Sequence, residues 1–260
     1  MSDDERMPVP ASTDSAGVPW AGRRFEHAES SGDDGSAPVA LIDAITAFGR
    51  GEVTESAVVD AVRESRLLIP LVAEVGESGS GHHGLVVDKR AELAIVTVAG
   101  PDGRSVLPAF SSVHSMARWN SAARPVPATG VRVALAAAGD ATELVIIDPT
   151  SATEFAIRRP ALWAIAQSEP WVPSYLDPEV VRAFATSVEP ERDVLAVRLA
   201  SGDPRARLSA PELSVRLALA PDLGGDILSA LLDRLRARWV DDETIATRVD
   251  SLAVTLVAAD

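Results

Sequence analysis

The loop Gly79-Ser80-Gly81-His82-His83-Gly84 carries the spacing G-x-G-x-x-G, with which glycines admit the pyrophosphate of a dinucleotide. That chemistry needs a helix opening at the last glycine, because its first amide N–H groups hold the phosphates. Here Leu85-Val86-Val87-Asp88-Lys89-Arg90 follows, and then the strand-like stretch 93–98. No helix is expected there, so the loop reads as a hairpin connection. His82 and His83 are adjacent, and neighbouring side chains of an extended segment point in opposite directions, away from any one metal ion. His27 and His114 add no H-E-x-x-H pair. Gly76-Glu77-Ser78-Gly79-Ser80 approaches G-x-S-x-G but ends in serine, and lacks the strand-turn-helix frame that exposes such a nucleophile. His114 and Ser115 are sequence neighbours, which does not make one the base of the other. No pair among the many Asp and Glu residues separates into acid and base. The residues predict no catalytic group, no cofactor and no metal.

Tryptophan and arginine stand out instead: Trp20, Arg118, Trp119, Arg158, Arg159, Trp163 and Trp171. Both residue types are favoured at the energetic centres of protein interfaces. The plainer reading packs Trp119, Trp163 and Trp171 across a core while the arginines pair with carboxylates. An exposed Trp163 or Trp171 beside Arg159 would favour an interface. Convergence of Arg159, Asp148 and Glu169 in a pocket, at the junction of two domains, would favour a small-molecule or enzymatic site. Trp20 sits in Val18-Pro19-Trp20-Ala21-Gly22-Arg23-Arg24-Phe25, which reads as an arm on its own domain or a docking peptide.

The elements that must position these residues follow from patterning. Residues 1–37 are rich in Ser, Asp, Gly and Pro and read as a flexible tail. Leu41, Ile42, Ile45 and Phe48 keep helical spacing up to Gly49. A second helix buries Val58, Val59 and Val62 behind a Thr54 cap, and this pair is expected at a sheet edge. Strands are predicted over 67–75, where Pro70 suggests an edge or a bulge, and over 93–98 and 106–110, the last two joined by the turn Pro101-Asp102-Gly103. Ser112 caps a short helix through Trp119, and 131–138 forms another. Leu144-Val145-Ile146-Ile147 is a central strand turned by Asp148-Pro149 into Glu154-Phe155-Ala156-Ile157, and Pro160 opens the helix holding Trp163. These make one mixed sheet with helices against it, over 38–175. Pro170, Pro173 and Pro178 mark a break before a second unit, 176–260. There, alternating Leu195/Val197/Leu199 and Leu213/Val215/Leu217/Leu219 predict antiparallel strands, followed by a helix with Leu228, Leu231, Leu235 and Trp239 on one side and a strand through Val254. The fold class expected is α+β, in two domains.

With 260 residues, 47% of them hydrophobic, the chain has enough apolar surface for such cores. Its formal net charge of −14 repels phosphate backbones and acidic bilayers, so neither nucleic acid nor membrane is expected as a partner. The chain has no cysteine, which removes disulfides and thiol chemistry. Neither a secretory signal nor a run of about 18 apolar residues is present, so a soluble cytoplasmic protein is expected.

Leu107-Pro108-Ala109-Phe110-Ser111-Ser112 with Met116-Ala117-Arg118-Trp119-Asn120, Arg124-Pro125-Val126-Pro127, and Arg158-Arg159-Pro160-Ala161-Leu162-Trp163-Ala164 resemble the N-terminal domain of the SseB family, in its actinobacterial form. The resemblance runs over roughly 18–175. Residues 176–260 resemble the family's C-terminal region more loosely. It implies no catalytic residues. The reading is a non-catalytic interaction or regulatory protein that binds an unidentified protein partner through Trp20, Arg118, Trp119, Arg159, Trp163 and Trp171. Homodimerisation through an exposed strand such as Leu213–Leu219 could accompany it.

Overall fold

Leu41 and Ile45 lie about one helical turn apart and form the buried side of α1 (Val39–Gly49). Val58, Val59 and Val62 do the same for α2 (Glu55–Glu64), where Thr54 occupies the cap position without a side-chain bond. The structure, a computed structural model, describes residues 33–74, 92–95, 97–139 and 142–257. Trp20, the glycine-histidine loop and the serines of 76–80 lie outside them. Gly35–Asp260 form one compact unit. The helix pair does not sit at a sheet edge: its valines join Leu67, Leu107, Ile147, Phe155 and Ile165 in the largest hydrophobic cluster.

Among the described residues the N-terminal part holds two sheets where one was expected. In the first, β1 (Arg66–Glu74) lies between β2 (Glu92–Ile95) and β5 (Arg124–Thr129), antiparallel to both. Pro70, expected at an edge or a bulge, is in this central strand, with no register shift beside it. It faces Pro125 of β5 and lies before the β2 register, which starts at Leu71, so its missing N–H costs no ladder bond on the β2 side. The β5 strand itself carries Pro125 and Pro127 and was not anticipated. In the second sheet the turn at 101–103 joins β3 (Val98–Ala99) to β4 (Ser105–Ala109), whereas most of the strand expected over 93–98 is β2, paired with β1 in the first sheet. Beyond them β4 runs parallel to β6 (Val145–Ile147), which turns back as β7 (Phe155–Ile157). Among the described residues one isolated bridge, Leu68 with Phe110, links the two sheets, and Leu67 and Ile69 share a hydrophobic cluster with Leu107 and Ala109. Between these strands lie α3 (Val113–Trp119), capped by Ser112 accepting from the Ser115 N–H, and α4 (Gly130–Gly139). α5 (Arg159–Gln167) follows β7 and has its proline in the first turn.

Gly130 is where α4 must pass α2. A Cβ there would stand 2.0 Å from the Val62 carbonyl oxygen, so glycine is required by contact.

Pro170 and Pro173 lie in a stretch without helix or strand, 169–177, and Pro178 closes it by starting α6 (Pro178–Val188), capped by Asp177. The second apolar cluster gathers Val180 and Phe184 of α6, Leu213, Val215 and Leu217 of β9 (Leu213–Leu219), and Leu231, Leu235 and Trp239 of α7 (Gly225–Asp241). Strand β8 (Val194–Ser201) pairs antiparallel with β9, whereas β10 (Leu252–Val257), reached through α7 and α8 (Glu243–Arg248), runs parallel to it. The order β10-β9-β8 puts Leu213–Leu219 in the middle, so the strand named for dimerisation has both hydrogen-bonding edges occupied. The chain is an α+β protein with mixed and antiparallel sheets.

Candidate functional site

Arg158 and Arg159 are consecutive, stand where β7 passes into α5, and serve different places. Arg158 is buried. One of its terminal nitrogens donates to Asp203 at 2.7 Å and to the Ala210 carbonyl at 2.8 Å. The other donates to Asp250 at 3.1 Å and to Ser251 Oγ at 3.2 Å. Arg104 grips the same Asp250 with two bonds of 3.0 Å. The side chains of Asp203 and Asp250 are 2% and 1% exposed, so these are desolvated pairs whose attraction is weakly screened. Burial pushes the Asp250 carboxyl up, but the bonds and charge of Arg104 outweigh it and hold the group below the usual carboxylate range. The C-terminal part also reaches into the N-terminal one: the Ala156 N–H donates to Ala206, and Leu208 packs with Val106, Leu144 and Ile146.

Two further carboxylates border this network without an arginine of their own. Glu212 accepts from Ser174 Oγ and from the Asp250 N–H, both at 2.6 Å. Half-buried Glu55, at the start of α2, has no hydrogen bond among the described residues. Burial first, then the charge of Glu212, push the Glu55 carboxyl up to about 7. Glu55, Arg158, Trp171 and Glu212 line a cavity of ≈ 10 Å³, room for about one water. Drug-sized ligands need some 300 Å³ or more. Trp171 is half-buried and packs against the largest hydrophobic cluster.

Arg159 turns the other way. One terminal nitrogen donates to the carbonyls of Ala246 and Val249, at 2.9 and 3.0 Å. Its guanidinium carbon lies 5.3 Å from the ring centre of Trp163, four residues on and so on the same helix face. Trp163 is 42% exposed, far more than its apolar surface favours. Arg159, Leu162 and Trp163 of α5 face Ala138, Thr142 and Glu143 across a groove of ≈ 290 Å³.

The other expected residues lie apart. Trp119 packs on Phe110, ring centres 5.3 Å apart, in a cluster with Leu68 and Met116. Arg118 is exposed and makes no ion pair among the described residues. Asp148 is buried and accepts from the Ser111 N–H, Ser111 Oγ and Thr153 Oγ1. Glu169 is exposed, and its carbonyl accepts from Arg63. Arg159, Asp148 and Glu169 therefore do not converge. Among the described residues no group of three or more His, Asp or Glu could hold a metal ion, and no helix is long and apolar enough to cross a membrane.

Sequence reasoning missed the Arg104–Arg158 network, because its acidic members sit in loops of the second half with no motif. The signal for Asp203 and Glu212 was weak: charged residues flanking strands that otherwise alternate. Residues 39–164 match the family model described as the SseB protein N-terminal domain. Comparisons with curated proteins and with solved structures return no significant match.

Proposed function

We propose, for a chain that belongs to the SseB family through residues 39–164, a non-catalytic cytoplasmic role as an interaction or regulatory protein, with the Trp163 groove as its docking site for another protein. The observation that carries this reading is Trp163 itself. A large indole is kept at the surface, braced by Arg159 from the same helix turn, and set at the mouth of a groove. The brace fixes the indole before any partner arrives, which lowers the ordering cost of binding. Trp and Arg together are the residue types that contribute most at interface centres. Trp119 packs in a different cluster, Arg118 is exposed apart from the groove lining, and half-buried Trp171 lines a cavity too small for a ligand, so the proposed docking site contracts from the wider tryptophan-arginine set to Arg159, Leu162 and Trp163.

The test is capture of partners from native lysate, followed by reconstitution of the complex from purified components. Trp163→Ser is expected to weaken the purified complex by about thirtyfold, corresponding to a hot spot of about 2 kcal/mol. Val240→Ser alters another apolar side chain, 77% exposed, and should leave the affinity unchanged. A complex that survives Trp163→Ser intact refutes the assignment.

A further inference from the structure

The helices α6, α7 and α8 all pack on one face of the β10-β9-β8 sheet, against Leu213, Val215 and Leu217. Alternate residues of each strand face the other way. On that outer face the registers align Arg198 with Arg216 and Arg216 with Thr255 in one row across the three strands. The neighbouring rows are Ala200, Ser214, Ala253 and Ala196, Ala218, Val257, and none of these outward residues is buried. Both arginines are exposed, and neither has an ion pair or side-chain hydrogen bond among the described residues.

Two like charges directly opposite on adjacent strands oppose sheet pairing. Folding therefore gains nothing from the Arg198–Arg216 pair. The three strands contain no Asp or Glu, although the chain carries 38 acidic residues against 24 Lys and Arg. The acidic surplus is excluded from this face, while small side chains keep its surroundings low enough for another backbone to approach. We propose that this face binds a carboxylate-rich segment of a partner protein, with Arg198 and Arg216 as paired anchors for adjacent acidic side chains. Charge complementarity selects that occupant. A second copy laid face to face would bring four guanidiniums together, which like-charge repulsion opposes.

The probe is a fluorescein-labelled peptide of alternating glutamate and alanine, titrated with the full chain at low salt and followed by anisotropy. Binding is expected to weaken with added salt, and Arg198→Thr/Arg216→Thr should reduce affinity about tenfold, as loss of two exposed charge contacts implies. The thermal midpoint of that variant should not fall, because the removed pair was repulsive. Arg124→Thr/Arg132→Thr removes equal charge elsewhere and should leave affinity within about twofold. Failure of the peptide to bind, equal binding of a lysine-alanine peptide, or equal losses in both double variants overturns the proposal. Preference for phosphatidylserine vesicles over the peptide overturns it as well. The readout is independent of the groove, since Trp163→Ser leaves this face untouched.

Discussion

Replacing Glu55 with glutamine should flatten the dependence of stability on pH. In the folded chain the carboxyl titrates near 7 against an ordinary value of 4.5, so the native state holds a proton that the unfolded chain releases at lower pH. An acid with a raised folded value stabilises fully below its unfolded value, and that contribution is lost as pH rises from 4.5 toward 7. At 1.36 kcal/mol for each unit the whole shift amounts to about 3 kcal/mol. Glu55 is half-buried, and solvent screening reduces this to about 1–2 kcal/mol. Glutamine keeps the neutral shape of the protonated side chain at every pH. The variant should therefore match wild type at about pH 4.5 and exceed it by about 1–2 kcal/mol above pH 7.5, a rise of about 3–6 °C in thermal midpoint. Glu212, also raised by burial, contributes a slope of the same sign, so the difference between the proteins isolates Glu55. Urea unfolding across the pH range measures it. Parallel profiles for the two proteins would refute the account of Glu55 as a carboxyl without a counter-charge.

Arg158→Met should lower the free energy of unfolding by about 3–5 kcal/mol, because it leaves Asp203 buried without its cation; urea midpoints of the two proteins check this. Gly130→Ala should cost more than the roughly 1 kcal/mol that alanine normally gains over glycine in a helix, since its Cβ meets the Val62 carbonyl at 2.0 Å; a stabilised variant would show that α4 can shift aside. Trp239→Phe should lose about 1 kcal/mol relative to packing alone, as the indole N–H donates to Ser187 Oγ at 2.8 Å in the C-terminal cluster; Ser187→Ala measured with it in a double-mutant cycle isolates the bond.

Period and punctuation made most elements legible. The alternation of Leu213, Val215 and Leu217 marks β9, and Pro101-Asp102-Gly103 marks the turn between β3 and β4. The sequence hid whatever depends on pairing between distant strands. Pro125 and Pro127 argued against a strand, yet β5 pairs with β1 through a register in which Pro125 faces Pro70. The prolines mark the stretch 169–177, which has no helix or strand, but they do not say that Pro178 also opens a helix, a role its fixed φ suits and the Asp177 cap completes. The site was half readable. Arg159 and Trp163 lie four apart, so their contact is local and follows from helical geometry. The partners of Arg158 lie 45 and 92 residues away, and no local rule reaches them.

That long reach gives the molecule a balance sheet of charge that crosses any boundary drawn from sequence. A fragment ending at residue 164, where the family match stops, would keep the cations Arg104 and Arg158 and lose Asp203 and Asp250. The remainder would hold both carboxylates in positions shaped to be dry, with nothing opposite them. Each piece would resemble one half of an electrolyte. The stretch recognisable by kinship is thus shorter than the stretch that is electrically complete, and a study of the first in isolation would meet a protein whose interior charge has been left open to water.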